Sequence, residues 1–213
     1  MDWNAAFERA EARYRRGEQR GLDQRQLTQL ANAAWAAGLC LLMAGRTDEA
    51  AGWLRRAAVR YRESWDAGAP PDSWGRPVAA MKALLLAGDD ASRAAEWALD
   101  AGATEAGSPI GRYAATLALL VLGRDEEALL LAETLRGRED FPRDVATALA
   151  ALAVHGGPCY AGAVEDLLRS FEAREEFLED VPVADTVLVL ERLAVDRGVG
   201  SGLRISERLP PQP

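Results

Sequence analysis

The chain has 213 residues, of which 49% are apolar and 27% charged, a composition that fits a single domain spanning residues 1–213. Its formal net charge is −8, but residues 1–65 carry 11 basic and 8 acidic side chains, whereas residues 66–213 carry 14 and 25. This balance excludes the strongly basic surface that nucleic-acid binding needs, and the longest apolar run is too short to span a bilayer, so we expect neither nucleic acid nor a membrane as a partner.

Residues 1–26 are predicted to cap the fold at its N-terminal end. An apolar stripe recurs at helical spacing along residues 3–16 and consists of Trp3, Phe7, Ala10 and Tyr14. Arg and Glu residues are interspersed on the remaining surface, which is typical of a solvated helix face with ion pairs. The pattern therefore indicates an amphipathic helix that covers the element following it.

The segment from Leu27 to Trp65 is predicted to form two helices joined by a short turn. Apolar residues recur every three or four positions from Leu27 to Ala44 and again from Ala50 to Trp65. Gly45 lies between the two stretches and suits a helix C-terminus, because glycine adopts positive φ without a Cβ clash. The segment is therefore a candidate αα-hairpin.

The same turn recurs at Gly88, Gly123 and Gly156, each time after an apolar helix. The successive intervals, counted from Gly45, are 43, 35 and 33 residues, near the period of about 34 residues found in helix-turn-helix repeats. An irregular stretch, residues 66–74, lengthens the first interval. The spacing predicts repeated hairpins.

The first hairpin carries small residues at helix-packing positions, a turn glycine and one large residue, namely Gly38, Gly45, Ala50, Leu54 and Ala57. In these residues the chain resembles the tetratricopeptide-repeat (TPR) family, over roughly residues 27–165. The resemblance implies an all-α fold of TPR-like α-α hairpins, stacked as a short right-handed solenoid. It also implies that the first helix of each hairpin lines a concave face where a protein or peptide binds.

Residues 166–197 are predicted to form C-terminal helices, and residues 198–213 an extended tail. One long helix is expected from Ala161 to Asp180, with a solvated acidic row made of Glu165, Glu172, Glu176 and Glu179. A last, deeply buried helix is expected from Ala184 to Val195. The tail is expected to dock on these helices through Leu203, Ile205 and Leu209.

The sequence offers little for catalysis. His155 is the only histidine, and its position at a predicted helix end favours a structural role. Cys40 and Cys159 lie in separate apolar contexts, and the sequence contains neither a metal-ligand spacing nor a Gly-rich phosphate loop. We therefore predict no enzyme activity, no catalytic residue and no cofactor or metal site, in a cytoplasmic protein.

Five residues form the predicted partner-binding set. Asn32, Arg76 and Arg112 stand 13, 12 and 11 residues before their turn glycines, so we expect them to converge on the concave groove and hold a carboxylate. Trp53 lies at the edge of its helix's apolar stripe, beside Arg56, and both residue types are enriched in binding hot spots. The expected partner is a protein, a peptide or a second copy of the chain.

Two further functions stay open at this point. Some all-helical immunity proteins of bacterial toxin systems have a similar Arg-Gly-Val turn and Leu-Pro end, here Arg197-Gly198-Val199 and Leu209-Pro210. That resemblance implies a regulatory or inhibitory partner, which a neighbouring toxin gene would favour. A helical enzyme is the third alternative, and a stoichiometric bound metal would favour it.

Overall fold

A computed structural model of the chain describes residues 1–211 and contains helices but no strand within that range, which confirms the all-α prediction. The α-helices of the described residues are α1 (Trp3–Gly17), α2 (Gln24–Met43), α3 (Thr47–Asp66), α4 (Gly75–Leu86), α5 (Ser92–Asp100), α6 (Pro109–Val121), α7 (Asp125–Arg136), α8 (Arg143–Ala153), α9 (Gly157–Glu172) and α10 (Asp185–Asp196). Short 3₁₀ turns occupy Ala103–Glu105 and Leu178–Asp180.

Local sequence signals set where several helices begin. The Asp23 carboxylate accepts hydrogen bonds from the backbone N–H groups of Arg25 and Gln26, and the Gln26 side chain accepts one from the Asp23 N–H. This reciprocal capping box satisfies backbone donors that lack a partner inside α2. The Ser108 hydroxyl caps α6 in the same way, with Pro109 in the first turn.

From α1 to α9, each helix packs against the helices that precede and follow it in the chain. Three of the predicted turn glycines end their helices with positive φ, at 73° for Gly45, 76° for Gly88 and 68° for Gly123. In the fourth turn the left-handed residue is His155, with φ 51°, so the predicted role of Gly156 is wrong by one position. Helix α8 ends at Ala153, which brings the reversal to His155 and lets its side chain reach across to α7.

Replacing Gly123 with valine is expected to lower the free energy of unfolding by about 1 kcal/mol or more, because a β-branched residue is strained at φ 68°. Thermal unfolding followed by circular dichroism measures the effect. Gly52→Ala is the control, since Gly52 lies inside α3 and nothing stands within 4 Å of its added Cβ. We expect the free energy of unfolding of Gly52→Ala to rise by roughly 0.5–1 kcal/mol. If Gly123→Val and Gly52→Ala were equally stable, the turn geometry at Gly123 would be contradicted.

Helices α2 and α3 approach each other closely at Gly38. A Cβ atom added there would stand 2.6 Å from the Leu54 side chain, so only glycine allows α2 and α3 to pack at this distance. These two residues are the small and large positions on which the TPR resemblance rests.

The predicted long helix from Ala161 to Asp180 is wrong in its second half, because α9 ends at Glu172. The chain then turns back, so that the Phe177 ring packs against Phe171 with 6.4 Å between centroids. Leu178 is exposed, which shows that the apolar stripe stops at Phe171 and that nothing buries a continued helix.

The predicted acidic row therefore does not exist as one face. Glu165 and Glu172 stay on α9 and both form ion pairs with Arg204 of the C-terminal tail, at 2.8 and 2.5 Å. Glu179 lies on the 3₁₀ turn and pairs with Arg13 of α1 at 2.9 Å. Two of these glutamates thus hold the tail, and a third holds the N-terminal helix.

Helix α10 closes one face of the hairpin array by packing on α4, α8 and α9, while the turn Leu178–Asp180 packs on α2. Val187, Leu188, Leu190 and Leu193 were predicted to be deeply buried. The side chains of Val187, Leu190 and Leu193 are almost fully buried, as predicted, whereas Leu188 is only half-buried.

The predicted tail, residues 198–213, docks in part. Leu203 and Leu209 pack on the core as expected, whereas Ile205 is 87% exposed and its predicted docking is wrong. Residues 199–211 contain neither helix nor strand, and residues 212 and 213 lie outside the described range.

Candidate functional site

The predicted inner face, on the first helices of the predicted hairpins, is covered in part, because α10 packs on α4 and α8 and the 3₁₀ turn before it packs on α2. Asn32 accepts a hydrogen bond from the Tyr61 hydroxyl at 2.8 Å. Arg76 donates to the Ser64 hydroxyl at 2.8 Å and to the Gln24 side chain. These contacts place the two side chains in the polar packing between helices, away from any shared opening.

Arg112, the third residue expected in the groove, lies half-buried on α6. Its backbone carbonyl accepts a hydrogen bond from the Thr116 hydroxyl at 2.8 Å. The described contacts of Asn32 and Arg76 lie between helices, and binding of a partner by Asn32, Arg76 and Arg112 stays a prediction.

A buried ion pair fixes the start of α10. The Lys82 ammonium of α4 donates to the Asp185 carboxylate at 2.6 Å and to the Thr186 hydroxyl at 3.0 Å. Burial lowers the pKa of Lys82, but the neighbouring Asp185 outweighs burial and holds that pKa above its ordinary value. Lys82 is therefore charged in the folded protein and links α4 to α10.

A second polar cluster fixes the other end of α10. The Arg197 guanidinium, almost fully buried, donates to the Leu120 carbonyl at 2.6 Å and to the Asp125 carboxylate. Asp125 also contacts His155 Nε2 at 2.7 Å. Burial raises the pKa of Asp125, but the hydrogen bonds from Arg197 and His155 outweigh burial and hold that pKa below its ordinary value.

The depressed pKa of Asp125 gives a pH dependence with a definite sign. The carboxylate contributes stability above the pKa of about 3.9 that Asp has in an unfolded chain, and the contribution is lost as pH falls through the lower folded-state pKa. We expect Asp125→Ala to lower the free energy of unfolding by about 3 kcal/mol at neutral pH, because Arg197 then stays buried without a carboxylate partner. Urea unfolding of wild type and Asp125→Ala at pH 7 and pH 3 measures the difference between their free energies of unfolding. This difference should be smaller at pH 3.

The control is Glu127→Ala, which removes an exposed ion pair with Arg124 one turn away. It should change stability little at either pH. If Asp125→Ala behaved like this control, the cluster would contribute nothing to holding α10.

On the opposite surface, Trp53 is 8% exposed and lies beneath α1. Its ring packs edge-on against Tyr14 and Phe7, with centroids 5.3 and 6.0 Å apart. Helix α1 therefore covers most of the indole in the folded chain, and direct contact of Trp53 with a partner stays a prediction. Arg56 remains exposed, with its guanidinium carbon 4.7 Å from the centre of the Trp53 ring.

Arg56 lies in the middle of a surface channel that we call the outer groove. It consists of three adjoining clefts of about 580, 360 and 510 Å³ that run from α1 across α3 to α5. Tyr14 and Arg56 line both of the first two clefts, and Val59 and Glu63 line both of the last two. The outer face of α3 is therefore the continuous floor of the groove.

The outer groove is basic in a chain that is acidic overall. Four glutamates line it, namely Glu11, Glu18, Glu49 and Glu63. Seven arginines line it, namely Arg15, Arg46, Arg55, Arg56, Arg60, Arg62 and Arg93. Five of the seven are held by carboxylates at 2.6–2.9 Å.

Arg56 and Arg93 are both exposed and, among residues 1–211, have no ion-pair partner. Between them lies Val59, which is 54% exposed, beside a shallow apolar surface formed by Ala94 and Trp97. Two free cations with an apolar patch between them can hold an acidic segment that carries an apolar side chain. Val59 was missed although it lies three residues after Arg56 on α3, and Arg93 was missed because only the approach of α5 to α3 brings it to the same groove.

No family model, curated protein or solved structure matches this chain. Within residues 1–211, the His, Cys, Asp and Glu side chains form no group of three or more that could hold a metal ion. In the same part of the chain, no helix combines the length and the apolar character needed to cross a membrane.

Proposed function

We propose that the chain is a non-enzymatic, TPR-like scaffold that binds an acidic segment of a protein or peptide in the outer groove. The observation that carries the proposal is the pair of unpartnered arginines, Arg56 and Arg93, on either side of the exposed Val59. The packing of α10 on α4 and α8 supports the same assignment, because a partner could reach the inner sides of these two helices only by displacing α10.

The repeat architecture is part of the same proposal. Hairpins stacked in chain order, as a short right-handed solenoid, account for the glycine turns and for the close packing of Gly38 on Leu54. In such a stack the second helices of successive hairpins, here α3 and α5, lie side by side on the outside. The cleft between them is the apolar end of the outer groove.

A helical segment fits the outer groove best. Helix α3 has 20 residues and is therefore about 30 Å long, so a bound helix of similar length spans all three clefts. Acidic side chains spaced by three or four residues lie on one face of such a helix and reach Arg56 and Arg93 in turn. Apolar side chains between them cover Val59 and the Trp97 edge.

The test uses a fluorescent helical peptide of about 20 residues, built from Glu and Leu at helical spacing, and the same peptide with Gln for Glu. We expect the Glu peptide to bind wild type at low ionic strength, and the Gln peptide to bind much more weakly. The Arg56→Glu/Arg93→Glu variant should bind the Glu peptide about tenfold more weakly than wild type, or weaker still. Fluorescence anisotropy measures both affinities.

The matched control is Arg20→Glu/Arg143→Glu, which makes the same change of charge at two exposed arginines outside the outer groove. It should retain most of the affinity, because only long-range attraction is altered. Equal losses in the two double variants would show a response to net charge alone and would refute the outer groove as a binding site.

A further inference from the structure

The chain carries on its own surface a helix with the chemistry that the outer groove fits. Helix α7 exposes Leu130, which at 69% exposure is among the most solvent-accessible large apolar side chains of the described residues. Glu126 and Glu133 are also exposed and lie four residues before and three residues after Leu130. The outer side of α7 is therefore an acidic helix face with one apolar side chain at its centre.

We propose that the outer groove of one copy binds α7 of a second copy. This inference rests on the proposed function and names the partner. The charges match, since the outer groove carries Arg56 and Arg93, unpaired within residues 1–211, while the outer side of α7 exposes Glu126 and Glu133.

The side chains match in kind as well as in charge. Glu126 has no ion-pair partner among residues 1–211, as is true of Arg56 and Arg93. In the docked arrangement Leu130 covers Val59 and the Trp97 edge, and Glu126 and Glu133 face the two free arginines. Contact removes exposed apolar surface from both copies and gives Glu126, Arg56 and Arg93 the ion-pair partners that they lack within residues 1–211 of one chain. Glu133 pairs with Arg136 at 2.6 Å within its own helix and shares its carboxylate with the groove.

The interface is heterologous, because the outer groove and α7 are different surfaces of the same chain. Each copy in an assembly offers one free groove and one free α7, so association continues by head-to-tail addition unless the geometry closes a ring. The contact is formed largely by exposed charges. Its strength therefore falls as salt concentration rises.

The experiment is a charge exchange followed by sedimentation equilibrium. One variant is Arg56→Glu/Arg93→Glu, and the other is Glu126→Arg/Glu133→Arg. Wild type should show an average mass that rises with concentration at low salt, and the rise should vanish near 1 M salt, where the screening length is only about 3 Å. Each variant alone should remain monomeric, because like charges then face each other across the contact.

An equimolar mixture of the two variants should associate again, because each groove then meets an α7 of opposite charge. Glu175→Arg/Glu176→Arg is the matched control for the second variant, since both residues are exposed and lie off α7. It should associate as wild type does. Circular dichroism spectra and melting temperatures confirm that all variants are folded.

A wild-type chain that stayed monomeric at every concentration and salt would overturn the inference, as would a mixture that failed to associate. If the monomeric chain still bound the Glu/Leu peptide through Arg56 and Arg93, the proposed function would stand with another protein as the partner. If the chain bound neither the Glu/Leu peptide nor a second copy, both the proposed function and this inference would be refuted.

Discussion

Replacing Trp53 with alanine is expected to lower the free energy of unfolding by about 3–5 kcal/mol, the range for removing a large buried aromatic side chain. The indole is 8% exposed and contacts rings from two turns of α1, those of Phe7 and Tyr14. Its removal leaves a cavity under α1 and takes away the ring on which Arg56 rests. Urea unfolding monitored by far-UV circular dichroism measures the loss.

Two comparisons separate packing from surface effects. Trp53→Phe should lose less than Trp53→Ala, because a phenyl ring fills part of the same space. Arg56→Ala should change stability little, since Arg56 is exposed. A Trp53→Ala protein as stable as wild type would mean that α1 does not dock on α3 as described, and the outer groove would then lose one wall.

Replacing Lys82 with alanine is expected to cost about 3 kcal/mol or more, because Asp185 then lies partly buried without its cation. The Lys82 stem also crosses Trp35, with the ammonium 5.9 Å from the ring centre. Because the folded-state pKa of Lys82 is raised, this contribution is present at neutral pH and is lost only as pH rises above about 10.4. Urea unfolding at pH 7 and pH 8 should give the same loss.

The double variant Lys82→Met/Asp185→Asn is the control. It removes both charges together and should recover much of the loss, because no uncompensated charge remains in the interior. A double variant that was less stable than Lys82→Ala would show that the two residues act independently and do not form the link between α4 and α10.

The helices were largely predictable because their signals are local. Apolar spacing and the turn glycines Gly45, Gly88 and Gly123 depend on residues within one or two helical turns, and the structure places these glycines at positive φ as expected. The prediction was wrong where apolar residues continue at helical spacing in the sequence but are not buried in the structure. Leu178 continued the apolar spacing of α9, but no neighbouring element covers it, so the chain leaves the helix at Ala173.

The surfaces were less predictable because long-range contacts create them. Trp53 lay at the edge of its own helix's stripe, and only the docking of α1, about 40–50 residues away in the chain, shows that it is buried. The inner face was expected to be open, yet Lys82 meets Asp185 103 residues later and joins α10 to α4. In the same way, Arg56 becomes part of a continuous groove through contributions from α1 and α5.

In the proposed function, partners contact the outer groove and leave α10 in place. Hydrogen–deuterium exchange of the chain, with and without the Glu/Leu peptide, tests it directly because the two faces lie in different helices. We expect slower exchange in α1, α3 and α5 on binding, with α10 unchanged. Faster exchange in α10 together with protection of α4 and α8 would contradict the claim, because the peptide would then occupy the inner face.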